Sequence, residues 1–594
     1  MQSTYMAPGE IDTHPREPLE HLRLLEVNVN KNTERSHHTT AYNTVFFLII
    51  LLTLLSGTLF SWLQLHNQSQ TEYLIYYDFW RNFSALQNGH DLYAFVFHNV
   101  HLYLLISAVW FFDLLASSGT LKLSHIYVDF FTITSFLCLF LVLRRDHTHT
   151  GVSSSWTTFI AILLACIWLN PANSQCFSYP LLDILGATLL FLLCLTGFLF
   201  SSSRSTPNHH NSILTWIAYT VVVVAGFITL ESYLIVPIAI SAYELKQSNT
   251  KRATYHFLLA TFLGMLYVAT IPALPKTQVQ VDRHFLPFLH NFLVLLSGHF
   301  GSTLIALGDK PKPAGNVSIL LSLFQLGCFA YLFKRSNRHS NIPMSLLLAC
   351  FGFASIALAT WLRYSDKFIY LPVDRYIPYS SMASMALLYQ ASLLRPINRT
   401  NKFIRNGVIF IILFFTAAET TALVTRNYNS GKIMVTARLE MPIYAQKPGL
   451  ERNLGPSEPD LGRKWRLDLY SFLKDHSWSV FASDAYQLLG TIIPKKSITE
   501  QLKCIISHPD IETRGSTKIL RANLIGVSSD GFMFTANQSH QITSFGFTAK
   551  ITPFSKYQST LLLLNNGDEN EVYWAEVHNG KIVKSLPCGT FNAN

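Results

Sequence analysis

Charge is what this sequence has least of. Lys, Arg, Asp and Glu make up 13% of its 594 residues, where a soluble globular chain carries about 25%. A deficit of that size excludes a chain solvated over its whole surface. It fits several membrane spans, each needing about 20 mostly apolar residues. The eight cysteines include no CxxC pair and no zinc spacing, so a structural zinc site of the usual kind is not expected. A phosphate-cradling Gly-rich loop, a Walker pattern and an HExxH are all missing. So are internal repeats, low-complexity segments and a signal peptide. The first 43 residues are polar, with Arg16, Arg23, Lys31 and Arg35, and read as a cytoplasmic tail. The net charge of +10 is no nucleic-acid signal, because the basic residues sit in short segments between apolar runs.

Long apolar runs are what the chain has instead. They fall at about 44–65, 124–143, 156–170, 180–201, 213–229, 231–243, 256–273, 315–333, 343–362, 379–394 and 406–425. The pattern predicts a mainly α, polytopic membrane protein of about 11 transmembrane helices. A further run at 284–308 contains His284, His290, His299 and Pro287, and reads as a partly buried or re-entrant helix facing protein. The run at 101–116, ending in "WFFDLLASSG", reads as an interfacial helix. Six cysteines (Cys138, Cys166, Cys176, Cys194, Cys328 and Cys350) lie in or beside these runs and read as packing residues.

Orientation follows from the excess of Lys and Arg in cytoplasmic loops. With the N-terminus inside, compact inner connections hold Arg144 and Arg145, Lys251 and Arg252, Lys334 and Arg335, and Arg395, Arg399, Lys402 and Arg405. The C-terminus then lies outside. External basic residues concentrate in two loops, with Arg283 in one and Arg363, Lys367 and Arg375 in the other. They are either ordinary surface charge or ligands of an anionic headgroup, since Arg and Lys are natural phosphate partners.

Residues 426–594 read as a soluble α+β domain, with a helix over "RKWRLDLYSFLKDHSW" and short β runs from about 517 onward. "EVYWAEVHNGKIVKSL" predicts a hairpin, because Asn-Gly between alternating strands favours a tight primed turn. Cys504 and Cys588 flank this region, and in an oxidising compartment they either pair or stay apart.

The chemistry candidates cluster in the predicted external loops. Asp78 lies in "YYDFWRNF", with Asp91 thirteen residues on. A carboxylate beside aromatic rings at an interface is partly desolvated, which raises its basicity. It would be a general base on a hydroxyl, or else an acid facing water within an aromatic belt. Asp78 is favoured because Tyr76, Tyr77, Phe79 and Trp80 surround it. His98 and His101 are three apart and would share a helix face, with Asp113 as a third polar group. Glu231, between two apolar runs, is a functional acid or a helix cap. "RYSDKFIYLPVDRYIPYSS" places Arg363, Lys367, Arg375 and Tyr376 before a late span, where a helix N-terminus and a guanidinium would share a phosphate. Broken helices near the midplane would instead mark a transporter or flippase for a lipid-linked glycan, but these candidates sit near the outer ends of spans.

The layout of one span, an external loop with an aspartate among aromatics, interfacial helices and many further spans resembles the GT-C superfamily of membrane glycosyltransferases. "LYAFVFHNVHLYLLISAVWFFDLL", with its His-Asn-x-His, resembles bacterial O-antigen glucosyltransferases of the serotype-converting type. "NPANSQCFSYP" sits where those place a polar aromatic loop, and "VDRYIPYSS" is similar to their Ser-Arg-Tyr segment. The chain departs from them in having Leu102 and Tyr103 after the His-Asn-x-His, and Asp374 in place of the serine. The resemblance implies an inner-membrane enzyme with a cytoplasmic tail (1–43), a transmembrane domain (44–425) with a large first external loop (66–123), and a periplasmic C-terminal domain. It implies transfer of a sugar from a polyprenyl-phosphate donor to a hydroxyl of a lipid-linked or surface glycan. Asp78 or Asp91 would be the base. His98, His101, Asp113, Glu231, Arg283, Arg363, Lys367, Arg375 and Tyr376 would bind substrate. Neither a metal nor a cofactor is expected, because guanidinium groups would hold the lipid-phosphate leaving group. A flippase and a donor synthase are the implied partners, with membrane lipids around the spans.

Overall fold

A computed structural model describes residues 52, 54–59, 97–98, 101–173, 180–205, 209–270, 283–301, 311–335, 343–364, 366–394, 399–421, 440, 442–443, 445–447, 471–499, 504–514, 517–550, 556–563 and 569–592. The chain divides into two units, 1–56 and 57–594. In the first, residues 54–56 are helical and the Ser56 hydroxyl donates to the Leu52 carbonyl (2.7 Å). Everything below belongs to the second.

The helical part opens with a small hairpin, β1 (Phe97–His98) and β2 (His101–Leu102), followed by α1 (Leu104–Ser117). Then come α2 (Lys122–Thr150), α3 (Ser154–Trp168), α4 (Pro180–Ser205) and α5 (His209–Thr229). A 3-10 turn, Glu231–Leu234, leads into α6 (Ile235–Lys246) and α7 (Thr250–Thr270). The set is completed by α8 (Phe285–Leu296), α9 (Pro311–Arg335), α10 (Pro343–Arg363), α11 (Ile377–Leu393) and α12 (Arg399–Thr421).

Among the described residues, six helices are long and apolar enough to cross a membrane: those at Lys122–Thr150, Leu182–Ser201, Thr250–Thr270, Pro313–Lys334, Met344–Arg363 and Arg399–Thr420. The chain is therefore a multi-pass membrane protein. The apolar stretches Ser154–Trp168 and Ile213–Thr229 are shorter than these six, and two further runs differ from simple spans in other ways. The run at 231–243 begins as a 3-10 turn and leaves α6 only 12 residues, about 18 Å against a hydrocarbon core of about 30 Å. Helix α11, at 17 residues, is buried from Ile377 to Leu393 at every position but Tyr379, so it is a core helix of the bundle. α12 starts at Arg399. This places Lys402 and Arg405 in its first turns, whereas the sequence pattern puts them in a loop. The run at 44–65 lies largely outside the described residues.

α1 is 14 residues long, about 21 Å, and is too short to span alone. It ends at Ser118, whose φ of 55° is left-handed. Asp113 then takes over the start of α2: its carboxylate accepts from the Leu121 and Ser124 amides (2.9 and 3.0 Å). Those are among the N–H groups a helix start leaves without partners.

The C-terminal part is an antiparallel seven-stranded sheet in the order β3-β4-β7-β6-β5-β8-β9. Its strands are β3 (Ile505–Arg514), β4 (Thr517–Ile525), β5 (Gly531–Ala536), β6 (Ile542–Lys550), β7 (Tyr557–Leu563), β8 (Glu569–His578) and β9 (Lys581–Asn592). The β8–β9 hairpin turns at Asn579 and Gly580, both at positive φ (50° and 70°), as its Asn-Gly signal predicts. The sequence pattern missed β3. A bulge between Ser507 and Asp510, containing Pro509, breaks its alternation, and proline is tolerated there because β3 is an edge strand. The two edges meet: Cys504 N–H donates to the Pro587 carbonyl (3.2 Å) and Cys504 is disulfide-bonded to Cys588. Met533, Leu520, Leu561 and Trp574 fill the concave face. The segment preceding the sheet touches the helical part where Ser479, in the 3-10 turn Ser479–Ala482, donates its N–H to the Ser118 carbonyl (2.7 Å).

Candidate functional site

Glu231 is placed by a break in the helix path. α5 stops at Thr229, Leu230 is extended (φ −159°), and the chain turns through Glu231–Leu234. The turn is fixed from below by Tyr233, which is fully buried, packs its ring on Gly226 and hydrogen-bonds Thr196 through its hydroxyl (2.9 Å). Glu231 is thereby held 6% exposed at the helix ends. Its Oε1 accepts from His101 Nδ1 (2.6 Å) and its Oε2 from the Leu102 amide (3.1 Å). A carboxylate can only accept, so Nδ1 of His101 carries the proton. The acid orients the ring, which lines the cavity.

The cavity around this pair has a volume of about 250 Å³. Its wall includes Arg363 from the last turn of α10, and Arg375 and Tyr376 from the 3-10 turn Asp374–Tyr376 that leads into α11. Tyr103, Ser232, Ser355 and Tyr379 add hydroxyls, and Leu182, Leu185, Leu358 and Leu362 add apolar surface. The Arg375 guanidinium lies 6.0 Å from the Tyr376 ring centroid. Among the described residues neither arginine makes an ion pair. Burial pushes the Tyr376 phenol above its usual pKa, with Arg363 pulling the other way. The phenol is therefore neutral at physiological pH and can donate. A smaller apolar crevice, walled by Trp168, Leu189 and Met382, adjoins Arg375 and Tyr379.

His101, Glu231, Arg363, Arg375 and Tyr376 thus line one cavity, although His101 and Glu231 are 130 residues apart. Among the described residues, the other sequence candidates do not join them. Asp78 and Asp91 lie outside the described residues. His98 and His101 do not share a helix face: they are cross-strand partners in the β1–β2 hairpin. Asp113 is fully buried and both its oxygens cap α2. Arg283 stacks 5.7 Å from the Trp361 ring centroid. Lys367 is exposed, and its carbonyl accepts from Asn291 Nδ2 (2.6 Å), which helps pin the segment after α10. Tyr103 and Tyr379 lie within the motifs singled out in sequence. Ser232 and Ser355 carry no sequence signal, because a serine within or beside an apolar helix is commonplace.

No protein-family model matches the chain, and no curated protein is significantly similar to it. Among solved structures, the crystal structure of ArnT from Cupriavidus metallidurans bound to undecaprenyl phosphate is similar over 73% of this chain and 88% of its own, at 14% identity and a TM-score of 0.36. A likeness of that degree carries no argument about fold or function.

Proposed function

We propose that the chain is a membrane glycosyltransferase of the GT-C kind. It would move a sugar from a polyprenyl-phosphate donor to a hydroxyl of a lipid-linked or surface glycan of the O-antigen type. The carrying observation is the convergence in one cavity, beside an apolar crevice, of a Glu-oriented histidine and two guanidinium groups that have no ion-pair partner among the described residues. In this reading the acceptor oxygen attacks the anomeric carbon as the bond from that carbon to the phosphate oxygen breaks. The phosphate leaves with an added negative charge, which Arg363 and Arg375 stabilise where it develops. The isoprenoid lies against the leucine wall. The acceptor's proton goes to a carboxylate from the first external loop, Asp78 before Asp91. His101 binds and orients a substrate hydroxyl through Nε2.

The cavity lies on the external side in this reading, in a bacterial inner membrane, with residues 1–43 inside and 426–594 in the periplasm. The Cys504–Cys588 disulfide supports that placement, since such bonds persist in oxidising compartments. Glycan mass analysis of cells with and without the gene tests the reading: loss of one hexose is expected, and identical glycans would sink it. In membranes assayed with a polyprenyl-phosphate sugar, Arg375→Ala should lower transfer by about 10²–10³-fold, as for loss of other charge-stabilising donors. Wild-type rates would remove Arg375 from the mechanism.

A further inference from the structure

The two arginines of the cavity stand at the ends of one strap of chain. Arg363 closes α10, Arg375 lies in the 3-10 turn before α11, and the strap 364–373 runs between them. A connection of this kind is by default the more mobile part of a fold. This one is held from several sides, and the side chain that holds it most is Asn291.

Asn291, on α8, is fully buried and gives its whole amide to the strap. Its Nδ2 donates to the Tyr364 and Lys367 carbonyls, and its Oδ1 accepts from the Ile369 amide (2.8 Å). The Tyr364 carbonyl is among those that a helix end leaves without an intrahelical partner. Asn291 therefore caps α10 one residue beyond Arg363. The preceding residue, His290, sets its ring against those of Phe368 and Tyr370, with centroids 5.1 and 5.6 Å away. Further along, the strap rests close on its neighbours. A Cβ on Gly315 of α9 would sit 2.9 Å from the Tyr370 carbonyl oxygen, and one on Gly301 would sit 3.2 Å from Pro372. The two ends also meet each other: Tyr364 and Tyr376 pack edge to face, with centroids 6.1 Å apart. Asn291 itself is not part of the cavity wall, and both its N–H donors are already used. It can serve the cavity only through the strap.

We propose that Asn291 is the positioning residue of the phosphate-binding pair, fixing the strap so that Arg363 and Arg375 are set at one spacing before the donor arrives. The inference rests on the glycosyl-transfer reading, in which these guanidinium groups stabilise the departing phosphate. A pair already in place needs no reorganisation as charge develops, whereas a pair on a free strap must first be ordered against conformational entropy. The test is steady-state sugar transfer by the full-length protein carrying Asn291→Asp, which keeps an acceptor for the Ile369 amide and removes both amide N–H donors. The kcat/KM for the polyprenyl-phosphate sugar should fall by about 10–100-fold, the scale of a small misplacement of catalytic groups, while the KM for the acceptor should not move. In Arg363→Ala and in Arg375→Ala backgrounds the same change should lower kcat/KM by about threefold or less, because a residue that works through the arginines has little left to lose once one is gone. Wild-type kinetics of N291D, or a loss undiminished in both backgrounds, overturns the inference and leaves the glycosyl-transfer reading standing. Wild-type protein that transfers no sugar overturns both. Should N291D not fold, Gly315→Ala keeps every polar group and presses on the Tyr370 carbonyl instead. It should show the same donor-specific, non-additive loss, and unaltered kinetics of that variant overturns the inference as well.

Discussion

Two acids of the helical part show how one residue type takes opposite roles. Glu231 gives its oxygens to one backbone amide and to His101, which fixes a ring that lines the cavity. Glu231→Gln keeps the volume but offers one carbonyl oxygen for two donors. Leaving one donor unsatisfied should cost about 1–3 kcal/mol, read as a lowered unfolding midpoint in detergent. Sugar transfer should fall with it, and further than stability alone explains. Unaltered transfer would make the pair purely structural. Asp113 gives both oxygens to backbone and caps α2. Burial, outweighing these hydrogen bonds, raises its pKa above the usual carboxylate value. A raised folded pKa favours the folded state most where the group is protonated, and that advantage is lost as pH rises through the folded value. The stability of the wild type relative to Asp113→Asn should therefore shrink between about pH 4 and neutrality. A gap that widens over that range would contradict the assignment.

Helix α11 owes its place to small residues. It packs against α10 so closely that a Cβ on Gly352 would sit 2.6 Å from the Tyr379 carbonyl oxygen. Backbone cannot swing aside as a side-chain tip can, so Gly352→Ala must push the two helices apart. Overpacking of this kind costs about 1–3 kcal/mol. It should also move Tyr379, which lines the cavity. Thermal unfolding of the purified variant checks the first effect, and donor affinity the second. A variant with wild-type stability and affinity would show that the contact is softer than its geometry. The same close packing makes α11 read in sequence as one more span: an apolar run buried in protein and one bathed in lipid share a composition.

Across the whole molecule, the soluble sheet is closed by the one bond the sequence left open. Cys504 and Cys588 are 84 residues apart, and they join an edge strand's start to the last strand. Cross-linking a loop of that length removes unfolded-state entropy worth about 4–5 kcal/mol. The Cys504→Ser/Cys588→Ser double variant should become trypsin-sensitive in its C-terminal region under conditions where the wild type resists. Equal resistance would show that hydrophobic packing around Trp574 and Met533 suffices.

The sequence alone determined what rests on local composition and short-range pattern. The scarcity of charge and the apolar runs give a multi-pass helical protein, because the bilayer imposes length and apolarity residue by residue. The Asn579–Gly580 turn is legible because its φ values are a local demand. Tertiary structure alone decided what depends on distance in the chain. It brought His101 to Glu231, set Arg363 beside Arg375, turned Asp113 from a binding candidate into a cap, paired Cys504 with Cys588 and buried α11 within the bundle. Each of these is a contact between distant segments, and a contact between distant segments leaves no periodicity in either one.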